Sequence, residues 1–154
     1  MPVVSHVVNV EVVPEVTWDF VKEMRNWAEL MPGYEGMEEI NETDSEWKIR
    51  GDVGILTKLV TMQVHVTEWV ELSHVNFTIV CKEEPLTAEG SLVAEAADSE
   101  TKLVFNLDAQ AGGMLGPVVN ALLMIVMPRM ARDFASGIKR EIEAGAASAS
   151  ERHG

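Results

Sequence analysis

The groups in this chain that could do chemistry are few: four histidines, one cysteine, one tyrosine and 25 carboxylates. Hydrolysis or elimination needs such groups to converge, as a nucleophile beside a base, as paired carboxylates, or as metal ligands. No two histidines have metal-ligand spacing, and the chain contains no GxSxG, HExxH or CxxC. A glycine-rich phosphate loop is also lacking, since "GILTK" at Gly54 to Lys58 is too short for one. Strand parity turns His6 inward, with Cys81 as a weak second, and sends His65 and His74 outward beside Thr67 and Asn76. His153 falls near the end of the chain. A lone histidine near a strand start is more often a satisfied core or rim residue than a catalyst, and Cys81 reads most simply as a small buried hydrophobe. Tyr34, just after "MPG", has a hydroxyl to aim. The carboxylates read as solvated surface. No catalytic set, no metal site and no cofactor is therefore expected.

The elements that must position these groups follow from periodicity. Val3 to Val12 reads as a strand with Val4, Val8, Val10 and Val12 on one face. Pro14 suits the first turn of a helix, and Val16, Phe20, Met24 and Trp27 or Ala28 follow at helical spacing until Pro32 and Gly33 stop it. Two short helices are expected there, broken near Met24 to Trp27. Six alternating segments come next: Met37 to Glu42, Glu46 to Asp52, Gly54 to Glu71, His74 to Lys82, Thr87 to Ala97 and Lys102 to Gln110. Their short polar links predict an antiparallel meander. Gly116 to Ala144 reads as one long helix, and 145–154, "GAASASERHG", as a flexible tail after a single domain of 1–144. A sheet with one apolar face needs a cover, and the long helix is the available one. The fold class is α+β.

Parity places Trp47, Ile49, Val60, Met62, Val64, Val66, Val75, Phe77, Ile79, Leu92, Leu103, Phe105 and Leu107 under that helix. The Thr87 to Ala97 strand adds Ala88, Gly90, Ala94 and Ala96. Small residues along one inward stripe leave room, either for a cavity or for bulky side chains from the helix. The pattern by itself allows both.

With 154 residues and a net charge of -13, the chain should form one domain and repel nucleic-acid backbones and anionic surfaces. "MPVVSHVVNVEVV" alternates like a strand and has no basic segment of a signal peptide, and one cysteine cannot form an internal disulfide. A cytoplasmic protein is expected. On the long helix, Asn120, Leu123, Met124, Met127, Met130, Ala131, Phe134, Ile138 and Ile142 share the face that should lie on the sheet. The opposite side is charged in its second half but carries Val118, Leu122, Ile125 and Val126 in its first. That surplus can be covered by loops, dock on another protein or touch a membrane surface. No run is long enough to span a membrane. Pro128 should weaken the helix and kink it, with "AGGMLGP" as a hinge, so that the first half could move as a lid. Asn120 could bond a ligand or the backbone.

The order of elements, with "WAELMPGYE", "GDVGILTKLVTMQVHVTE", "LTAEGS" and "LDAQAGGMLGP", resembles the helix-grip (START-like, SRPBCC) superfamily over Val3 to Ile142. Within it the chain is similar to the carbon monoxide dehydrogenase G-subunit family. Trp18, Trp27, Pro32, Gly33, Gly51, Gly54, Gly90, Gly112, Gly113 and Gly116 carry the likeness. The resemblance implies a seven-stranded curved antiparallel sheet gripping the C-terminal helix, an apolar cavity between them, no metal, and an accessory role to a redox enzyme. It makes a bound lipid, quinone or polycyclic, polyketide-like molecule the expected cargo. The candidate ligand-binding set is His6, Trp27, Met31, Tyr34, Met62, Val64, Phe77, Ile79, Gly90, Leu92, Ala94, Phe105, Asn120, Leu123, Met124 and Met127. A redox enzyme or a second copy would dock on Leu122, Ile125 and Val126. Two other readings stay open: a cyclase or aromatase using His6 or Tyr34 for proton transfer, and a purely structural accessory protein with a filled core.

Overall fold

The computed structural model describes residues 3–53 and 56–153. Its elements are β1 (Val3–Val10), α1 (Pro14–Val21), α2 (Met24–Glu29), β2 (Tyr34–Glu39), β3 (Asp44–Val53), β4 (Leu56–Val70), β5 (His74–Cys81), β6 (Leu86–Ala97), β7 (Glu100–Ala111) and α3 (Gly116–His153). The order and type of every element match the sequence expectation; Gly54, placed there at a strand start, lies outside the described residues. The seven strands form one antiparallel sheet in the order β1-β7-β6-β5-β4-β3-β2, so β2 to β7 make a meander and β1 closes onto β7. α3 packs along β1 and β7.

Pro14 opens α1 where its missing N–H costs nothing. The break to α2 falls at Lys22 and Glu23, and the indole of Trp27 fastens it by donating to the Val21 carbonyl at 2.6 Å. After α2, Gly33 takes φ +88°, and a Cβ there would sit 2.2 Å from the Arg50 carbonyl oxygen. Only glycine fits, and its carbonyl accepts the Arg50 N–H at 2.8 Å, fixing the end of the helical pair to β3.

Two features depart from simple periodicity. Thr67 forms a bulge in β4, where the register shifts between Val66 and Glu68. Beyond it the parity reverses: Trp69 is paired with Val75 and meets Trp18 edge-on at 6.1 Å, while Glu68 turns outward to His74. α3 runs through Pro128 and on to His153, past the Ala144 boundary expected for it. Alanines at 144, 146 and 147 favour helix and carry it into the segment read as a tail.

The core is divided. Val10, Val21, Val75, Leu92, Leu103 and Ile138 are fully buried in one half of the space between sheet and helices. Each such side chain contributes about 1.5–3 kcal/mol relative to exposure. None of the six borders the cavity described below.

Candidate functional site

The other half is hollow. A cavity of about 210 Å³ lies between the sheet and the first part of α3. The strand register places it at the end of the sheet where β4 and β6 begin and β5 and β7 end, beside the start of α3. Its floor is the cross-strand pair Ala88 and Ala109, flanked by Ile79 on β5 and by Leu86 and Leu107. Two alanines side by side leave the gap between helix and sheet unfilled at this point. Leu123, Met127, Met130 and Ala131 come from α3, and Met24, Trp27 and Met31 come from α2 and the turn after it.

An aromatic row separates this hollow from the packed half. Phe77 and Trp27 meet at 5.6 Å with ring planes at 89°, Trp27 and Phe134 at 6.2 Å, and Phe134 and Phe105 at 5.3 Å and 78°. Edge-to-face contacts of this kind hold each ring by its neighbours. Gly90 is what admits the row: a Cβ there would lie 2.5 Å from the Phe77 ring and 2.9 Å from the Asn106 carbonyl oxygen.

The polar groups near the wall are already satisfied. Trp27 donates to Val21, and the Trp47 indole N–H donates to the Ser45 hydroxyl at 2.9 Å. Asn106 donates to the Ser91 hydroxyl at 3.1 Å and accepts from the Ser5 hydroxyl at 2.9 Å. Among the described residues no buried side-chain nitrogen or oxygen lacks a partner, no lining residue is ionisable except Cys81, and no group of side chains could hold a metal ion. The Cys81 thiol is free and buried in the wall.

Of the sequence candidates, Trp27, Met31, Met62, Val64, Phe77, Ile79, Phe105, Leu123 and Met127 line the cavity. The remaining seven sit elsewhere. Leu92 is buried in the packed half, and Ala94 packs there too, its N–H donating to the Ser73 carbonyl at 2.7 Å. Gly90 lies behind Phe77. His6 on β1 and Tyr34 on β2 are half-buried and border no part of the hollow. Asn120 spends its amide on the backbone: its Oδ1 accepts from the Ala111 N–H at 2.9 Å and its Nδ2 donates to the Ala111 carbonyl at 3.2 Å. This clamp closes the loop from Gly112 to Leu115 and holds the segment expected to act as a hinge. Met124 points away, 64% exposed, because it lies at the rim of the apolar arc, about 100° from Leu123. Lining residues outside that candidate set include Ala88, Cys81 and Met130, which periodicity does turn inward, together with Ala109 and Met24.

The surplus apolar side of α3 is uncovered at Val118 and Ile125, and Met114 and Leu115 in the clamped loop are exposed as well. Leu122 and Val126 are half-buried. Charge is absent from Ala109 to Pro128. His65 and His74 are surface residues paired with Asp44 and Glu68, the first at 2.7 Å. No described helix is long and apolar enough to cross a membrane.

A seven-stranded antiparallel sheet wrapped on a long C-terminal helix over an apolar cavity defines the helix-grip fold. The chain belongs to the polyketide cyclase / dehydrase and lipid transport family, whose model matches residues 1–143. Among solved structures it is similar to a conserved protein from Geobacillus kaustophilus (TM-score 0.78, 18% identity, 90% of this chain and 93% of that one). It is also similar to a START superfamily protein from Mycobacterium smegmatis (0.70, 14%, 92% and 97%) and to the Zhui aromatase/cyclase of Streptomyces (0.69, 18%, 92% and 93%). At these identities the likeness is one of fold. Among curated protein sequences none matches.

Proposed function

We propose that this protein binds and carries a hydrophobic small molecule of the lipid, quinone or polycyclic, polyketide-like kind in the cavity between sheet and α3. The observation that carries the reading is an apolar hollow of about 210 Å³ retained beside a fully packed half-core. Empty apolar volume costs stability, at about 24 cal/mol per Å³, so a space kept open in a domain that packs well elsewhere is suited to an occupant. Membership of a family described by cyclases, dehydrases and lipid transport supports the same class.

Delivery is assigned to the exposed apolar side of α3 around Leu122, Ile125 and Val126, which lies next to the cavity and would meet a redox enzyme or a second copy. The redox partner and a cytoplasmic setting rest on the sequence likeness to the carbon monoxide dehydrogenase G-subunit family and on the lone cysteine. A cyclase or aromatase would need a proton-transfer group at the ligand, and His6 and Tyr34 stand outside the lining.

Native mass spectrometry of freshly purified protein, followed by solvent extraction, tests the reading. An extractable apolar compound is expected, released together with the mass excess. A protein that is empty and takes up no apolar probe would overturn it in favour of a structural accessory role.

A further inference from the structure

The composition of the wall narrows the ligand, given the binding reading above. Both indole N–H groups in the wall are engaged by the protein, and Ser91 and Asn106 bond each other and Ser5. The other polar lining residues are Thr87, which is exposed on the outward parity of β6, and Cys81, whose thiol is a weak donor. A carboxylate or phosphate moved into this space would lose its water and find no countercharge among the lining residues. An unpaired hydroxyl is disfavoured there for the same reason.

Size sets the second limit. An apolar cavity of about 150 Å³ holds a benzene, and pockets for drug-sized molecules start near about 300 Å³. The present 210 Å³ falls between them. The row Phe77, Trp27, Phe134 and Phe105 borders the space on the side of the packed half, and a volume below that of drug-sized pockets leaves a long chain too little room. Five methionines, Met24, Met31, Met62, Met127 and Met130, let the wall adjust to shape without supplying polarity.

We infer that the ligand is a neutral apolar molecule of one or two rings, and that the cavity rejects fatty acids, phospholipids and charged aromatics. Edge and face contacts with the four aromatic rings would hold such a molecule, and none of its atoms would need a hydrogen bond.

Isothermal titration of ligand-stripped protein with naphthalene, naphthalene-2-carboxylate and palmitate tests this. Naphthalene should bind at least tenfold more tightly than either acid. An acid binding within tenfold of naphthalene, or better, overturns the ligand class while leaving the cavity a binding site; failure of all three overturns the binding reading itself. The Ala88→Leu variant, shown to be folded by circular dichroism, should bind naphthalene at least tenfold more weakly. Unchanged affinity would put the molecule elsewhere and overturn the inference.

Discussion

Replacing Ala88 by leucine makes the ligand-free protein more stable and less able to bind. Ala88 lies on the cavity floor opposite Ala109, and the whole hollow forgoes about 5 kcal/mol relative to a filled core, at about 24 cal/mol for each of its 210 Å³. A leucine adds three carbons to that space, worth about 0.8 kcal/mol each when buried, less about 0.5–1 kcal/mol of side-chain entropy. The net gain is about 1–2 kcal/mol, within the range of cavity-filling substitutions. For a domain of this length it raises the melting temperature by about 2–8 °C. Scanning calorimetry of stripped protein reads the first effect, and naphthalene titration the second. Ala94→Leu is the control. Ala94 stands two residues beyond Leu92 on the same face but in the packed half, so the same three carbons overpack it, costing about 1–3 kcal/mol with naphthalene affinity unchanged. If Ala88→Leu lowers the melting temperature while binding persists, the space is not where the register puts it and the reasoning fails.

Four further outcomes are expected. Gly90→Ala should destabilise by about 1–3 kcal/mol in urea titration, because the added methyl must displace the Phe77 ring and strain the Asn106 backbone; a neutral result would mean that the row yields freely. Asn120→Ala breaks both bonds of the clamp and should cost about 1–3 kcal/mol, with faster hydrogen exchange at the Ala111 amide. Glu143 titrates below its ordinary value because the Lys139 ammonium and then the Glu11 N–H bond its carboxylate. Stability from that site is therefore present above the unfolded carboxylate pKa of about 4.5 and lost as pH falls through the lower folded value, and Glu143→Gln should flatten this acid limb of the urea midpoint. Naphthalene should slow the reaction of Cys81 with a small neutral thiol reagent; an unchanged rate would argue that the bound molecule leaves that wall free.

Alternation and turn spacing make the meander from β2 to β7 legible in the sequence, since each short polar link admits one antiparallel neighbour; the pairing of β1 with β7 has no such link to announce it. Strand parity also found the residues of β4, β5 and β7 that face α3. It does not carry past Thr67, because a bulge adds a residue there and no local signal in "VHVTEW" announces it. The alanine and glycine stripe on β6 allows either a cavity or filling by bulky neighbours, and periodicity carries no information about what lies opposite. Phe77 takes the space over Gly90, the packed half takes that over Ala94, and only Ala88 opens onto the hollow. Its partner Ala109 reads as one more small residue until the register sets the two side by side. Asn120 has the helical phase of a lining residue, and its two bonds to Ala111 depend on how the preceding loop folds back, which spacing alone cannot give.

The row of four rings also bears on how such a protein can change over generations. On one side of it, Leu92, Leu103 and Ile138 carry the burden of staying folded; on the other, Met62, Ala88, Ala109 and Met130 shape the hollow. Under the proposed binding role, a mutation at one of the latter would alter what is recognised while leaving the packed side chains in place. Recognition can drift towards a new guest by single steps, each leaving a molecule that still folds, which is the condition under which one scaffold is inherited by many chemistries.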